Sequence, residues 1–412
     1  MKIVCICARR YHRDMPVEDA GDLRILFVET FFGGSHRAFA EGFARHSAHR
    51  VDLVTLPADR WRERVRFGAF EIARRLPDPT GYDVILATDL INLGDLRAVW
   101  SMAPGRRERN EAEQRTCRFP PILLYLHETQ STYPPPRTER QRRERDPCAE
   151  LQDVKNCLLA ERVLFNSHSH RTAFLESLDR LVRDHPGLDT LTPVTTIRDR
   201  SGVVYPGVSL VAREAWSGLS RSVETRRPPR ILWNHRREYD KRPRRFFRTL
   251  LDLATDGVPF EVVVLGEAPR GDTPEITRMR DELGERILHW GHVDSAEEYH
   301  RWLADADIIV STAIQENFGI AVVEAIAAGC VPLLPRRLSY PELIPEELQE
   351  TVLYDHDRDF PGRLRYILEN LSDLQRSCIE LPAAMDRLSW SVIAPELDRT
   401  IEAIVHRVSL KA

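Results

Sequence analysis

Lysine is nearly missing from this chain: of 59 lysines and arginines, only Lys2, Lys155, Lys241 and Lys411 are lysine. A lysine inside a motif is therefore a choice against a strong bias, made where a compact point charge serves better than a planar fork. Long apolar runs are missing too. None reaches the ~18 residues that a membrane span needs, which excludes a spanning helix and leaves no membrane partner to expect. Cysteine is present but scattered: Cys5, Cys7, Cys117, Cys148, Cys157, Cys330 and Cys378 make an odd set of 7 with no C-x2-C pair. That excludes a disulfide framework and a zinc ribbon, and Cys5-x-Cys7 with His12 stops at half a ligand set. A reducing, cytoplasmic location is expected. The net charge of −4 supplies no bulk attraction for nucleic acid.

What is present is globular. With 412 residues, 42% hydrophobic and 8% aromatic, the chain is too long for one ordinary core and suits two domains of about 200 residues each. Residues 1 to 22 read as a dispensable extension, too short in its apolar core for a secretory signal. Strands are expected at 24–29, 51–55, 84–88, 122–126, 163–166 and 202–206, alternating with helical patterns at 61–76, 93–100, 151–160 and 171–181. Alternation at this spacing predicts a parallel, doubly wound α/β sheet for residues 23–207. Residues 208–229 lack periodicity and end in Arg226-Arg227-Pro228-Pro229, a linker. A second series spans 230–388, with strands at 231–234, 261–265, 287–290, 308–311 and 331–334. A last helical segment, 389–412, is long enough to cross back to the first domain.

The segment from Ile308 to Leu334 organises the second half. A β-branched strand ends at Ser311, a polar loop carries Glu316, and a helix begins at Phe318-Gly319 with Glu324 inside it. Unpaired N–H groups at a helix start, flanked by two carboxylates, suit the phosphates and hydroxyls of a sugar nucleotide. Asn317 lies between them. Two further places fit the same ligand. Arg236 and Lys241 follow the first strand of the second domain, five residues apart, and two fixed cations there would offset the charge of a departing diphosphate without a metal. In the first domain Gly33 and Gly34 follow a strand and permit close approach of backbone to a ligand, with Ser35 placed to cap the next helix and His36 beside it. His127, at the carboxyl end of another strand, sits where α/β proteins put chemistry, with Glu128 and Gln130 after it.

Two stretches, 105–118 and 134–146, are polar and charged and read as loops. In the second, Arg137, Arg140, Arg142, Arg143 and Arg145 face two glutamates, a local patch able to meet RNA phosphate.

Glu316-Asn317-Phe318-Gly319 through Glu324 resembles the E-x-F-G-x4-E signature of family 4 glycosyltransferases. The ordered set FVETFFGGSH, TLPADRW, LYLHETQ, FNS, ILWNHRREYDK, VLGE, LHWGHV, ADIIVSTAIQENFG and LSYPELIP looks like the tRNA-queuosine mannosyltransferase family, over roughly residues 24 to 345. The resemblance implies a GT-B fold, two Rossmann-like doubly wound domains facing a central cleft, and a retaining, metal-independent transfer with no cofactor. It implies GDP-mannose as donor and the queuosine cyclopentenediol at the tRNA wobble position, in the aspartate tRNA, as acceptor, with no obligate protein partner. Glu316 would hold sugar hydroxyls, Phe318 and Gly319 would present amides, Glu324 would bind the ribose, and Arg236 with Lys241 would steady the leaving GDP. His127 would line the reaction centre, with Gly33 and Gly34 toward the diphosphate. His36, Glu128, Gln130, Arg140, Arg142 and Arg143 would meet the acceptor. The N-terminal extension and the arginine-rich insert depart from the family pattern. Two alternatives share the scaffold: another nucleotide sugar with a lipid or small-glycoside acceptor, and a non-catalytic RNA-binding protein.

Overall fold

The computed structural model describes residues 23–76, 78–102, 119–133, 147–191, 193–210, 227–268 and 271–410. The N-terminal extension, the stretch 105–118, the arginine-rich insert with Arg140, Arg142 and Arg143, and most of the linker lie outside them. The chain forms two compact units, Met1–Gly207 with Trp390–Ala412, and Val208–Ser389.

The first unit holds six parallel strands: β1 (Arg24–Phe32), β2 (Arg50–Pro57), β3 (Val84–Thr88), β4 (Ile122–Leu126), β5 (Arg162–Phe165) and β6 (Ser201–Val203), in the order β2-β1-β3-β4-β5-β6. Every residue of β3 and β4 is buried. Helices cover both faces, which is why these strands are continuous apolar runs rather than alternating ones. Among the described residues the helices include α1 (Gly34–His46), α2 (Trp61–Arg75), α3 (Leu93–Ser101), α4 (Pro147–Leu159), α5 (His168–Asp184) and α6 (Pro193–Arg200). The strand order reverses between β1 and β3, and the loops leaving those strands form the crevice where open α/β sheets bind ligands.

The helix Trp390–Ser409 belongs to this unit. Its buried Trp390, Ile393, Leu397, Ile401 and Ile404 repeat at helical spacing and join Phe27, Phe39, Phe43 and Tyr125 in one core cluster. Gly42 and Gly207 make room for the indole: a Cβ on either would lie 2.2 or 2.3 Å from atoms of the Trp390 ring. Asp398 fixes the helix against the loop after α1, accepting from Ser47 Oγ at 2.6 Å and from the Ala48 N–H at 2.8 Å.

The second unit repeats the plan with β7 (Arg230–Asn234), β8 (Glu261–Leu265), β9 (Ile287–Gly291), β10 (Ile308–Val310), β11 (Val331–Pro335) and β12 (Leu353–Tyr354), all parallel, in the order β12-β11-β10-β7-β8-β9. Read from β9, this is the doubly wound dinucleotide-fold order, and its reversal falls between β7 and β10. Helices α7 (Pro243–Thr255), α8 (Pro274–Leu283), α9 (Ala296–Asp305) and α10 (Ile320–Ala327) are among those covering it. Among the described residues no helix is long and apolar enough to cross a membrane.

Three local features differ from expectation. Ser35 does not cap α1: β1 runs on to Phe32, Gly33 becomes the N-cap, and Ser35 falls inside the helix. The helix α6 was not anticipated, because PVTTIRDR buries only Pro193 and Ile197 and carries no apolar stripe. The edge strand β12 has two residues, too few to show a period.

Candidate active site

In the second unit the loops after β7 and β10 meet at the strand-order reversal. Thr312 Oγ1 donates to the Lys241 carbonyl at 2.7 Å, and the Ile314 N–H donates to the Asp240 carbonyl at 2.8 Å, so the two loops are laced together through backbone. Lys241 is consequently buried. Its Nζ donates to the Gln315 carbonyl at 2.5 Å and lies 3.1 Å from Glu316 Oε2 and 3.5 Å from Asp240 Oδ2. Burial opposes the lysine's charge, but Glu316 and then Asp240 outweigh it and raise its pKa. Burial likewise opposes ionisation of Glu316, and Lys241 outweighs that and holds the carboxyl below its ordinary range. The pair is ionised.

The Phe318 N–H donates to the Glu316 carboxylate, so the amide expected to face an anion is engaged within its own loop. Asn317 Oδ1 accepts from Gln315 Nε2 at 3.1 Å, and Gly319 caps α10 with φ +100, the left-handed region that favours glycine. Arg236 is the more accessible cation, with its side chain 57% exposed and its Nη1 3.3 Å from Glu238. His235, buried between these groups, is held near pKa 4 by burial first and then by Lys241.

Glu324 faces a different neighbour. It accepts a 2.6 Å hydrogen bond from the Tyr299 hydroxyl, which accepts in turn from Asn234 Nδ2 at 2.8 Å. Burial raises the Glu324 carboxyl to about 7 against the pull of that hydrogen bond. It is thus poised to ionise near neutrality, next to a donor that steadies the ionised form.

In the first unit the end of β1, the first turn of α1 and the loops after β3 and β4 bring together Glu29, His36, Asp89 and His127, all buried. Glu29 accepts from the Phe31 N–H at 2.8 Å and pairs with His36 Nδ1 at 3.1 Å. Burial works against a charge on His36, but Glu29 prevails and raises its pKa to about 9. The His127 ring centroid lies 4.2 Å from that of His36. Burial, and then the charged His36, keep His127 well below its ordinary pKa, a neutral imidazole beside a cationic one. Its backbone is pinned: the His127 N–H donates to Asp89 Oδ1 at 3.1 Å, and its carbonyl accepts from Asn166 Nδ2 at 2.8 Å. Glu29, His36 and His127 also offer three ligand atoms within 4.8 Å of one another, a set that would suit a divalent cation such as zinc. One proton on His36 meets the same demand.

Gly33 sits against β2's exit, where a Cβ would lie 2.4 Å from Ala58 Cβ, whereas Gly34 has open space and φ +52. Glu128 accepts from Tyr133 Oη at 2.9 Å, and the Gln130 N–H donates to Asp153 Oδ2 at 3.1 Å.

Residues 24–208 match the tRNA-queuosine alpha-mannosyltransferase N-terminal family, and residues 220–381 match glycosyl transferases group 1. A Drosophila melanogaster protein named tRNA-queuosine alpha-mannosyltransferase is 29% identical over 331 residues, 78% of this chain and 82% of the relative. The chain thus resembles the tRNA-queuosine alpha-mannosyltransferases over most of its length, carrying the N-terminal domain of that family followed by a group 1 glycosyl transferase domain. It is therefore a glycosyltransferase. Among solved structures, sucrose-phosphate synthase from Thermosynechococcus elongatus superposes with a TM-score of 0.65 at 14% identity, covering 93% of this chain and 100% of that one. Anabaena HepE in complex with UDP gives 0.61 at 14% identity, covering 92% and 100%. These likenesses carry the fold, and the two-domain GT-B architecture implied by the sequence motifs is what the chain adopts.

In this chain the sequence motifs mark Lys241, Glu316 and Glu324 but not the groups that set their charge. Asp240 stands next to a marked lysine and His235 next to a marked arginine, so proximity was the available signal. Tyr299 had none, since AEEYHRWLAD is an ordinary amphipathic helix. Asp89 was readable by position, as the first polar side chain after the all-buried Val84–Thr88 run.

Proposed function

We propose that the protein transfers mannose from GDP-mannose, with retention of configuration and without a metal, to a hydroxyl of the queuosine cyclopentenediol in the anticodon of the aspartate tRNA. The second unit handles the donor and the first unit the acceptor. The observation that carries this reading is the ionised Lys241–Glu316 pair held at the strand reversal of the second unit. A carboxylate with a fixed cation beside it can accept from sugar hydroxyls while its neighbourhood stays positive enough for a diphosphate.

In this scheme Arg236, the accessible cation, contacts the departing diphosphate, and Lys241 supplies preorganised positive potential while it fixes Glu316. Glu316 and Asn317 receive sugar hydroxyls, and Gly319 lets the chain turn closely around the ligand at the start of α10. Glu324 receives the ribose hydroxyls, exchanging its bond from Tyr299 for bonds from the ligand. Gly33, Gly34 and neutral His127 line the first unit's share, with His127 as an acceptor for a hydroxyl proton. His36, Glu128 and Gln130 shape the acceptor side, and Arg140, Arg142 and Arg143 meet tRNA phosphate.

The test offers the purified protein GDP-mannose or UDP-sugars together with queuosine-containing or queuosine-free tRNA, followed by α-mannosidase digestion of the product. Transfer from GDP-mannose to queuosine-containing tRNA alone, removable by the α-specific enzyme, is expected. Equal transfer to queuosine-free tRNA, or transfer only from UDP-sugars, would overturn the assignment.

A further inference from the structure

Beside His127 the carboxyl ends of the first sheet enclose a small pocket lined by Trp61, Asp89, Glu128, Gln130 and Asp153, among others. Three of these are carboxylates, and among the described residues no lysine, arginine or histidine lines the pocket. The strands set this up: β2 leads to Trp61, β3 ends at Thr88 immediately before Asp89, β4 leads to Glu128 and Gln130, and α4 contributes Asp153. Two of the acids are partly engaged. Glu128 accepts from Tyr133 Oη at 2.9 Å, and Asp153 accepts from the Gln130 N–H at 3.1 Å.

Asp89 is the unusual member. It is 3% exposed, its Oδ1 accepts from the His127 N–H, and its Oδ2 is buried with no hydrogen-bond partner among the described residues. A buried acceptor left without a donor costs about 1–3 kcal/mol, so its persistence calls for a ligand that donates. Glu29 and Glu128 add negative potential around it, and His36 is the cation that faces it. Burial and those two glutamates together push Asp89 to about 7, against His36. The site thus has one acceptor to satisfy and more negative charge nearby than positive, and it is too small for a ring.

We infer that this pocket binds a protonated amine of the acceptor, with Asp89 Oδ2 accepting from the ammonium and Glu128 adding negative charge beside it. This rests on the proposed acceptor, because queuosine joins its cyclopentenediol to the base through a secondary amine that is protonated at neutral pH. Seizing the ammonium anchors the nucleoside one carbon away from the diol, so the hydroxyls are held beside His127 while the base remains outside. Discrimination then follows from chemistry. An unmodified guanine has no ammonium to offer, and a site built around a buried, waiting carboxylate rejects a ligand that cannot donate to it.

The experiment is a cycle of two ligands and two proteins. Binding of queuine, the free base with its secondary ammonium, and of an isostere with CH2 in place of that nitrogen is measured by calorimetry on the full chain and on Asp89→Asn. Asparagine keeps an oxygen for the His127 N–H and removes the charge. The wild type should bind queuine at least tenfold more tightly than the isostere, and Asp89→Asn should reduce that ratio to within twofold while GDP affinity is unchanged. Should Asp89→Asn lose its native thermal transition, Glu128→Gln is measured in its place, with the ratio expected to fall at least threefold. Equal affinity of the wild type for both ligands overturns the inference, as does a ratio that survives in the folded variant. Failure of the underlying reading shows elsewhere, as absence of mannose transfer to queuosine-containing tRNA. Transfer with no amine preference condemns the pocket alone.

Discussion

The Tyr299 hydroxyl donates a 2.6 Å hydrogen bond to Glu324, a carboxylate that burial raises to about pKa 7. A donor nucleotide whose ribose binds the ionised form should therefore bind more tightly as pH rises from 6 to 8. Replacing Glu324 with glutamine should abolish that dependence and weaken GDP by about 1–2 kcal/mol. In Tyr299→Phe the carboxylate loses a stabilising donor, so the midpoint should move upward in pH. Calorimetric titration with GDP at several pH values checks all three, and a flat wild-type profile would count against a ribose role for Glu324.

Lys241→Ala should lower kcat/KM by about 2–4 kcal/mol, as lost electrostatic stabilisers do. It should also lower Tm, because Asp240 and Glu316 would then be buried with no cation, and breaking buried pairs costs about 3–5 kcal/mol. The carboxylate contacts at 3.1 Å and 3.5 Å make this cation part of the fold as well as of the site. Lys241→Arg should recover more of the Tm than of the turnover, since a planar fork does not fit the Gln315 carbonyl and Glu316 together. Near-normal kcat/KM in Lys241→Ala would remove the residue from the reaction.

The Glu29–His36 pair makes a pH-dependent contribution to stability with a definite sign. His36 titrates at about 9 in the folded chain against an ordinary 6.5. Its contribution is fully present below pH 6.5 and is lost as pH rises toward 9. The difference in Tm between wild type and Glu29→Gln should accordingly shrink across that window. Added zinc provides a second reading of the same cluster. A proton-filled site predicts no rise in wild-type Tm with micromolar zinc at pH 7, and a metal-dependent rise would reassign Glu29, His36 and His127 as ligands.

The two glycines after β1 should respond differently to alanine. Gly33→Ala forces a Cβ to within 2.4 Å of Ala58 Cβ, so backbone must move, at about 1–3 kcal/mol, and donor KM should rise with it. Gly34→Ala meets open space and bears only the cost of its positive φ, about 1–2 kcal/mol, with a smaller rise in KM than Gly33→Ala. Denaturant unfolding with parallel kinetics separates them; equal KM effects would deny Gly33 its special position.

The fold was legible where strands are buried on both faces. Ile122–Leu126 and Glu261–Leu265 stand at the bounds their apolar runs suggest, because a strand covered by helices has to be apolar throughout. Legibility failed at β12 and α6, whose formation depends on neighbours rather than on any pattern of their own. For the site, spacing located Lys241 and Glu316 but could not tell that they face each other, since that contact spans 75 residues of sequence and forms only when two loops meet. The same holds for Asp89: its position at a strand end was visible, whereas its unsatisfied oxygen is a property of packing.

The return of Trp390–Ser409 into the first unit has a bearing on how the protein is made. A ribosome releases the N-terminal sheet first, yet Phe39, Phe43 and Tyr125 wait for a tryptophan encoded after the entire second unit. Until it emerges, the hollow over Gly42 and Gly207 is an apolar surface open to water. Synthesis therefore runs through a long stage in which every strand of the first sheet has been made and its core is still open. A message truncated just before Trp390 would yield a chain whose donor-side unit is complete and whose first unit lacks the indole that fills its core, a natural substrate for chaperones and proteases.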